Sequence, residues 1–163
     1  MGLTDIIILA QQRVAIEWNN PGFPVLLSFQ SSGGPMAHQI IQTSSAPAAI
    51  GPYSQAVKAG QWVFTSGQIG LHPETQALVT DSFEAQVRQA FSNLKAVAEA
   101  SGGSLADAVK FTLFLTDLGN FATVNAIMQE YLSAPFPARS TVGVASLPKG
   151  AQFEIEAVLL IGA

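Results

Sequence analysis

The chain contains no cysteine. Disulfides, thiolate nucleophiles and cysteine-ligated metals are therefore excluded. Histidine is nearly as scarce. His38 and His72 are the only two, far apart and without ligand spacing, so each reads as a loop or surface residue rather than a metal ligand. Charge is sparse as well. Asp, Glu, Lys and Arg make up 11% of 163 residues against 48% hydrophobic residues, and Lys plus Arg number only 7. The net charge is −4 and the isoelectric point near 4.9, the wrong sign for a nucleic-acid footprint. No apolar run reaches the roughly 18 residues of a membrane span. Neither nucleic acid nor membrane is an expected partner.

What remains is ample apolar material for a core. A chain of this length reads as one domain. One so poor in charge is expected to hide further apolar surface in an oligomer. Residues 1–35 differ in character from the remainder of the chain. They hold a short apolar run, Ile6 to Ala10, and two turn-rich stretches, Asn19-Asn20-Pro21-Gly22 and Ser31 to Pro35. Asp5 precedes the apolar run, unlike a secretory signal, and Arg13 stands against Asp5 and Glu17, unlike an Arg-rich presequence. The segment is expected to be a poorly ordered extension ahead of a start at Met36. The alternative is an arm that contacts an oligomer partner. With no legible targeting signal, the cytoplasm is the expected compartment.

From Met36 the pattern is regular. Strands are expected over 38–43, 53–58 and 62–66, the last two joined as a hairpin by Ala59-Gly60-Gln61. Ser66-Gly67-Gln68 interrupts the third strand, and a glycine there suggests a bulge or a close backbone approach by a ligand. Asp81 and Glu84 have capping-box spacing, with Asp81 as the cap. Val87, Ala90, Phe91, Leu94, Val97 and Ala98 then form one helical face that Ser101-Gly102-Gly103-Ser104 ends. A strand over 107–115 alternates Val109, Phe111, Leu113 and Leu115. Asn120 caps a second helix with Phe121, Val124, Ile127, Met128 and Tyr131 as its buried stripe. Pro135 and Pro137 lead into a strand carrying Arg139. The last strand, 152–161, sends Phe153, Ile155, Ala157 and Leu159 one way and Glu154 and Glu156 the other. The order is β-β-β-α-β-α-β-β. It predicts an α+β fold, a single mixed sheet with both helices on one face. The other face needs a cover that subunit association would supply.

Arg139 stands apart. From Met36 onward the cations are Lys58, Arg88, Lys95, Lys110, Arg139 and Lys149. Arg88 and Lys95 fall on a helix surface, Lys58 beside Gly60 and Lys149 in a Pro-Lys-Gly turn, all with solvent-facing readings. Lys110 fits either reading. Arg139 follows rigid Pro137 and precedes Val142 and Val144 at strand spacing. A guanidinium on a rigid element can grip a carboxylate through two parallel hydrogen bonds. The alternative is a structural ion pair with Glu154 or Glu156. Glu154 and Glu156 have their own alternatives, as rim charges or partners of Lys110. Tyr53 could be a core ring.

These residues also carry a resemblance. Ile50-Gly51-Pro52-Tyr53-Ser54-Gln55-Ala56, Thr65-Ser66-Gly67-Gln68-Ile69, Asn120-Phe121-Ala122-Thr123-Val124-Asn125, Pro137-Ala138-Arg139-Ser140, Leu147-Pro148-Lys149-Gly150 and Glu154-Ile155-Glu156-Ala157 succeed one another in order. This part of the chain, Met36 to Ala163, resembles the RidA (YjgF-type) family of imine deaminases, whose fold is chorismate-mutase-like. The resemblance implies a homotrimer with a central barrel and ligand clefts at the subunit interfaces. It implies hydrolysis of enamines and imines, such as 2-aminoacrylate and 2-iminobutyrate, to 2-keto acids and ammonia, without metal or organic cofactor. Arg139 matches the family's carboxylate-binding arginine. Glu154 matches the glutamate that holds or activates water. Tyr53, the Ser66-Gly67 backbone, Asn125 and Thr141 match residues at the cleft. Two positions depart from the pattern. Thr141 stands where many bacterial members have cysteine, and Gln76 where the family often has glycine. The alternative function is a non-catalytic 2-keto acid sensor using the same cleft. A ribonuclease role would want a basic patch that the chain lacks, and a chorismate-mutase-like activity would rest on a lone cleft arginine.

Overall fold

A computed structural model describes residues 38–162. The extension expected over residues 1–35 lies outside the described residues. Seven strands and two helices run in the order β1 (Gln39–Ile41), β2 (Ala56–Ala59), β3 (Trp62–Thr65), β4 (Gln68–Ile69), α1 (Phe83–Ala100), β5 (Ala108–Leu115), α2 (Phe121–Tyr131), β6 (Ala138–Gly143) and β7 (Phe153–Leu160). They make one sheet in the order β1-β2-β3-β7-β5-β6, with β4 also on β7. Only β5 and β6 are parallel. They are the pair joined through a helix, α2, as a parallel pair requires. The α+β class and the single mixed sheet match the expectation. β4 is the one added element.

The helices and one sheet face enclose the core. β7 is the spine of that face: Phe153, Ile155, Ala157 and Leu159 are buried and alternate with half-buried residues along the strand. Phe91 of α1 stacks on Phe153, centroids 6.0 Å apart, and on Tyr131 of α2 at 5.0 Å. Burying such side chains is worth about 1.5–3 kcal/mol each. Asn93 is buried in the same layer, and its amide donates to the carbonyls of Ile69 and Leu71 at 3.1 and 2.8 Å. That side chain ties α1 to β4. Gly70 lets α1 come this close, since a Cβ there would lie 2.7 Å from the Gln86 carbonyl oxygen.

Several local expectations are corrected. Ser82, not Asp81, caps α1: its backbone is extended and its Oγ accepts from Ala85 N at 3.1 Å. Asn120 precedes α2 without a side-chain cap, while Asp117 accepts from Gly119 N at 2.8 Å one turn earlier. Val109 is exposed. A bulge between Ala108 and Lys110 turns it outward and puts Ala108 in the core. Lys58 is not a free surface charge. Its Nζ donates to the Ser101 carbonyl at 3.0 Å, at the C-terminal end of α1, where a cation is favourable.

The break at Gly67 is a register slip. Val63 and Phe64 of β3 face Leu159 and Val158 of β7. Continued, that register would set Gln68 opposite Glu154. Instead Gln68 faces Ile155 and Ile69 faces Glu154. One extra residue has been inserted, which is the bulge the glycine suggested.

The opposite sheet face is open, and it is apolar over β1, β2 and β3. Ile40, Val57, Phe64 and Val158 share one row across β1, β2, β3 and β7. Ile40, Phe64, Trp62 and Val142 are 59%, 50%, 44% and 43% exposed.

Gln76 has φ +57°, and its Oε1 is buried without a hydrogen-bond partner among the described residues. A glycine would relieve the left-handed strain, partly offset by its freer unfolded chain. Gln76→Gly should therefore raise stability by about 0.5–1 kcal/mol, read as a higher urea midpoint. A lower midpoint would mean that the Gln76 side chain holds the loop.

Candidate active site

Two clefts of about 430 Å³ each indent the surface, and they share no lining residue. The first contains Tyr53, Ser66, Gly67 and Glu154. The second contains Asn125 and Arg139.

The first cleft is built on the bulge. Glu154 leaves β7 toward the gap at Gly67, and a Cβ at Gly67 would overlap the Glu154 Oε1 and lie 2.7 Å from its Cδ. The glycine therefore serves the carboxylate directly: it vacates the space in which Glu154 sits. Ser66 contributes backbone rather than hydroxyl, because its Oγ already donates to the Ser54 carbonyl at 2.6 Å. Tyr53 is exposed on the cleft wall, not in the core, and its hydroxyl accepts from Ile50 N at 3.5 Å. Lys149 stands at the rim, with φ +57° and its Nζ donating to the Gln76 carbonyl at 3.2 Å.

Gln55 holds this wall in place, and the sequence pattern does not single it out. It is buried. Its Oε1 accepts from Thr43 N at 2.7 Å, and its Nε2 donates to the Thr43 and Pro47 carbonyls at 3.0 and 2.7 Å. Its backbone carbonyl accepts from Ser66 N at 2.9 Å. One residue thus joins the 43–47 loop to the bulge. The only sequence signal is a polar residue within an otherwise apolar strand stretch.

Glu154 is half-buried, and its pKa is raised above the ordinary carboxylate value. Burial is the main cause, and the Glu156 charge two residues along the same strand face adds to it. Neither glutamate forms a salt bridge among the described residues. The structural ion pair weighed for Arg139, with Glu154 or Glu156, does not form among the described residues.

Arg139 occupies the second cleft. Its Nη1 donates to Asn125 Oδ1 at 2.6 Å and lies 3.5 Å from Met128 Sδ. Its guanidinium carbon is 5.1 Å from the centre of the Phe121 ring. Asn125 therefore acts on the arginine itself. Thr141 lines neither cleft; its Oγ1 is buried without a partner among the described residues.

Strand register separates the two charges. Arg139 lies in the row of Phe111 and Ala157, on the helix side. Glu154 lies in the row of Phe114 and Val142, on the open side. Arg139 and Glu154 are on opposite faces of one sheet, two strands apart. Among the described residues no group of three or more His, Cys, Asp and Glu is placed to hold a metal ion, and no helix is long and apolar enough to cross a membrane.

Residues 43–161 match the family described as Endoribonuclease L-PSP. The chain belongs to this RidA-type family. It is 50% identical over 123 residues to the 2-iminobutanoate/2-iminopropanoate deaminase of Dermatophagoides farinae, covering 76% of this chain and 96% of that one. Among solved structures, RidA from an Antarctic Psychrobacter is 55% identical with a TM-score of 0.73, covering 76% of this chain and 99% of that one. E. coli TdcF with bound serine is 45% identical with a TM-score of 0.72, covering 75% and 98%.

Glu156→Gln removes one of the two causes that raise Glu154. The Glu154 carboxyl should then titrate at lower pH, toward but not down to the ordinary value, since burial persists. Carbon NMR titration of that carboxyl checks this. An unmoved titration would assign the whole shift to burial.

Proposed function

We propose that this RidA-type chain is a cytoplasmic imine deaminase that converts 2-iminopropanoate and 2-iminobutanoate to 2-keto acids and ammonia. The relatives named for that activity support the reaction class. The serine bound to TdcF, a small carboxylate, supports the kind of ligand. The observation that carries the reading is the division of labour between the clefts. Among the described residues, one presents a guanidinium with no carboxylate partner, the other a carboxylate with raised proton affinity.

The reaction rests on those groups. Arg139 takes the substrate carboxylate through paired N–H donors. This fixes the neighbouring C=N carbon and turns a random encounter with water into a positioned attack. Glu154 accepts a proton from the water as its oxygen bonds to that carbon. Glu154 returns that proton to the nitrogen, which gives a carbinolamine with one hydroxyl and one amino group. Glu154 then takes the hydroxyl proton and passes it to the nitrogen as the C–N bond breaks, so that ammonia leaves as the C=O forms. The balance is one water consumed and one ammonia released, with the glutamate restored. A raised pKa suits this role, because a base whose pKa approaches the working pH accepts and returns the proton more readily. Tyr53 and the Ser66-Gly67 backbone would line the cleft around the imine. Thr141 would offer its backbone.

Opposite faces of one sheet cannot grip one small substrate. The reading therefore assigns each site an Arg139 from one copy and a Glu154 from a neighbour, within a homotrimer whose open apolar faces meet. Ile40, Trp62, Phe64 and Val142 are the surface that such contact would bury.

The direct test generates 2-iminobutyrate and 2-aminoacrylate with a dehydratase and monitors their loss. Wild type should accelerate hydrolysis. Arg139→Ala should lose roughly 10²-fold in kcat/KM, and Glu154→Gln roughly 10²- to 10⁴-fold in kcat. If wild type binds 2-ketobutyrate but leaves imine loss unchanged, the cleft is a sensor.

Assembly has a separate test. Arg139→Ala and Glu154→Gln chains, each inactive alone, should recover activity when co-expressed, because a mixed trimer contains one site with both groups. No recovery would mean that both groups come from a single copy.

A further inference from the structure

The proposed reaction uses the edge of the Arg139 guanidinium, while the carbon of that group lies over the ring of a residue with no assigned role. Phe121 is the first residue of α2. Its helical spacing predicted a core position, yet it is 39% exposed. Its ring is turned to the guanidinium, 5.1 Å from centroid to carbon. Asn125, one turn along the same helix, accepts from Nη1 at 2.6 Å, and Met128 Sδ lies 3.5 Å from that same nitrogen. Both contacts fall on Nη1. Nε and Nη2 have no partner among the described residues. Their parallel N–H bonds form one edge, matched to the two oxygens of a carboxylate.

We propose that Phe121 is a positioning residue for imine hydrolysis, holding the Arg139 guanidinium over its ring so that the Nε–Nη2 edge is left to the substrate carboxylate. The proposal rests on the reading of Arg139 as the carboxylate-binding residue. An aromatic face suits this task for a specific reason. It attracts a cation through its ring quadrupole but offers no lone pair that could compete for the N–H donors. An aspartate or glutamate in its place would hold the arginine more strongly, and would also neutralise it and repel the substrate. Asn125 fixes the opposite corner with a neutral acceptor for the same reason. Among the described residues the seat is thus built from uncharged groups, which leaves the positive charge for the ligand.

The experiment measures 2-ketobutyrate affinity and imine kinetics for the full chain carrying Phe121→Leu, Phe121→Tyr or Arg139→Ala. A parallel series carries phenylalanine with increasing ring fluorination, introduced only at position 121. Fluorination keeps the ring's shape and weakens its quadrupole. Phe121→Leu should raise the 2-ketobutyrate Kd and the imine KM roughly three- to fivefold, with kcat within about twofold of wild type. Phe121→Tyr, which keeps the ring face, should restore both. Kd should climb stepwise along the fluorinated series while the melting temperature stays constant. A Kd independent of fluorination would overturn the proposal, whatever Phe121→Leu does to folding. So would a Phe121→Leu chain that loses kcat and melting temperature together while the fluorinated chains bind like wild type. The Arg139→Ala chain separates the two layers. If it binds 2-ketobutyrate as wild type does, the reading of Arg139 is wrong. If it loses binding while the fluorinated series is flat, only the role of Phe121 is wrong.

Discussion

β7 pairs with β3, β4 and β5, and its side chains must alternate between two environments. Phe153, Ile155, Ala157 and Leu159 fill the core beneath the helices, so Glu154 and Glu156 have no choice but the opposite face. The rest of the site depends on that geometry. A carboxylate projecting from a central strand needs room between neighbouring chains, and the bulge at Ser66-Gly67 supplies it by adding a residue and removing a Cβ. Gln55 then braces the adjoining loop against the bulge. Shifting β7 by one residue would put the glutamates into the core and Ile155 into the cleft.

Much of this architecture is written in periodicities that need no partner to be seen. The 3.6-residue stripe of α1 and the two-residue alternation of β7 both survive unchanged in the fold. Gly67 announced its bulge because glycine within a strand is costly without a reason. Features that depend on pairing were not legible. A two-residue strand such as β4 is too short to show a period. The bulge at Val109 leaves the composition of β5 unaltered and is visible only against β7. Whether Arg139 and Glu154 share a sheet face depends on the relative register of three strands, and no single strand encodes it. The roles of Gln55 and Phe121 are hidden in the sequence because their partners lie at a distance along it, in a loop and on the arginine strand.

The scarcity of charge also takes a different meaning in the folded chain. Among the described residues, Lys58, Lys110 and Lys149 form no salt bridge with a carboxylate. They donate to the Ser101 carbonyl, the Ser140 hydroxyl and the Gln76 carbonyl. These are uses of an ammonium as a hydrogen-bond donor for otherwise unsatisfied oxygens. The two salt bridges among the described residues, Arg88 with Glu130 and Lys95 with Glu99, are exposed on the helices. Among the described residues, Arg139 and Glu154 are thus left without a salt-bridge partner, which is a state a charged ligand can exploit.

The placement of Arg139 and Glu154 on opposite faces has a kinetic consequence. If a working site needs one group from each of two copies, an isolated subunit lacks a complete site. Turnover per chain would then depend on concentration, falling away on dilution as the assembly dissociates and returning on reconcentration. A cell could set this activity through the amount of protein it makes more steeply than in proportion, with no effector and no change of shape in the subunit itself.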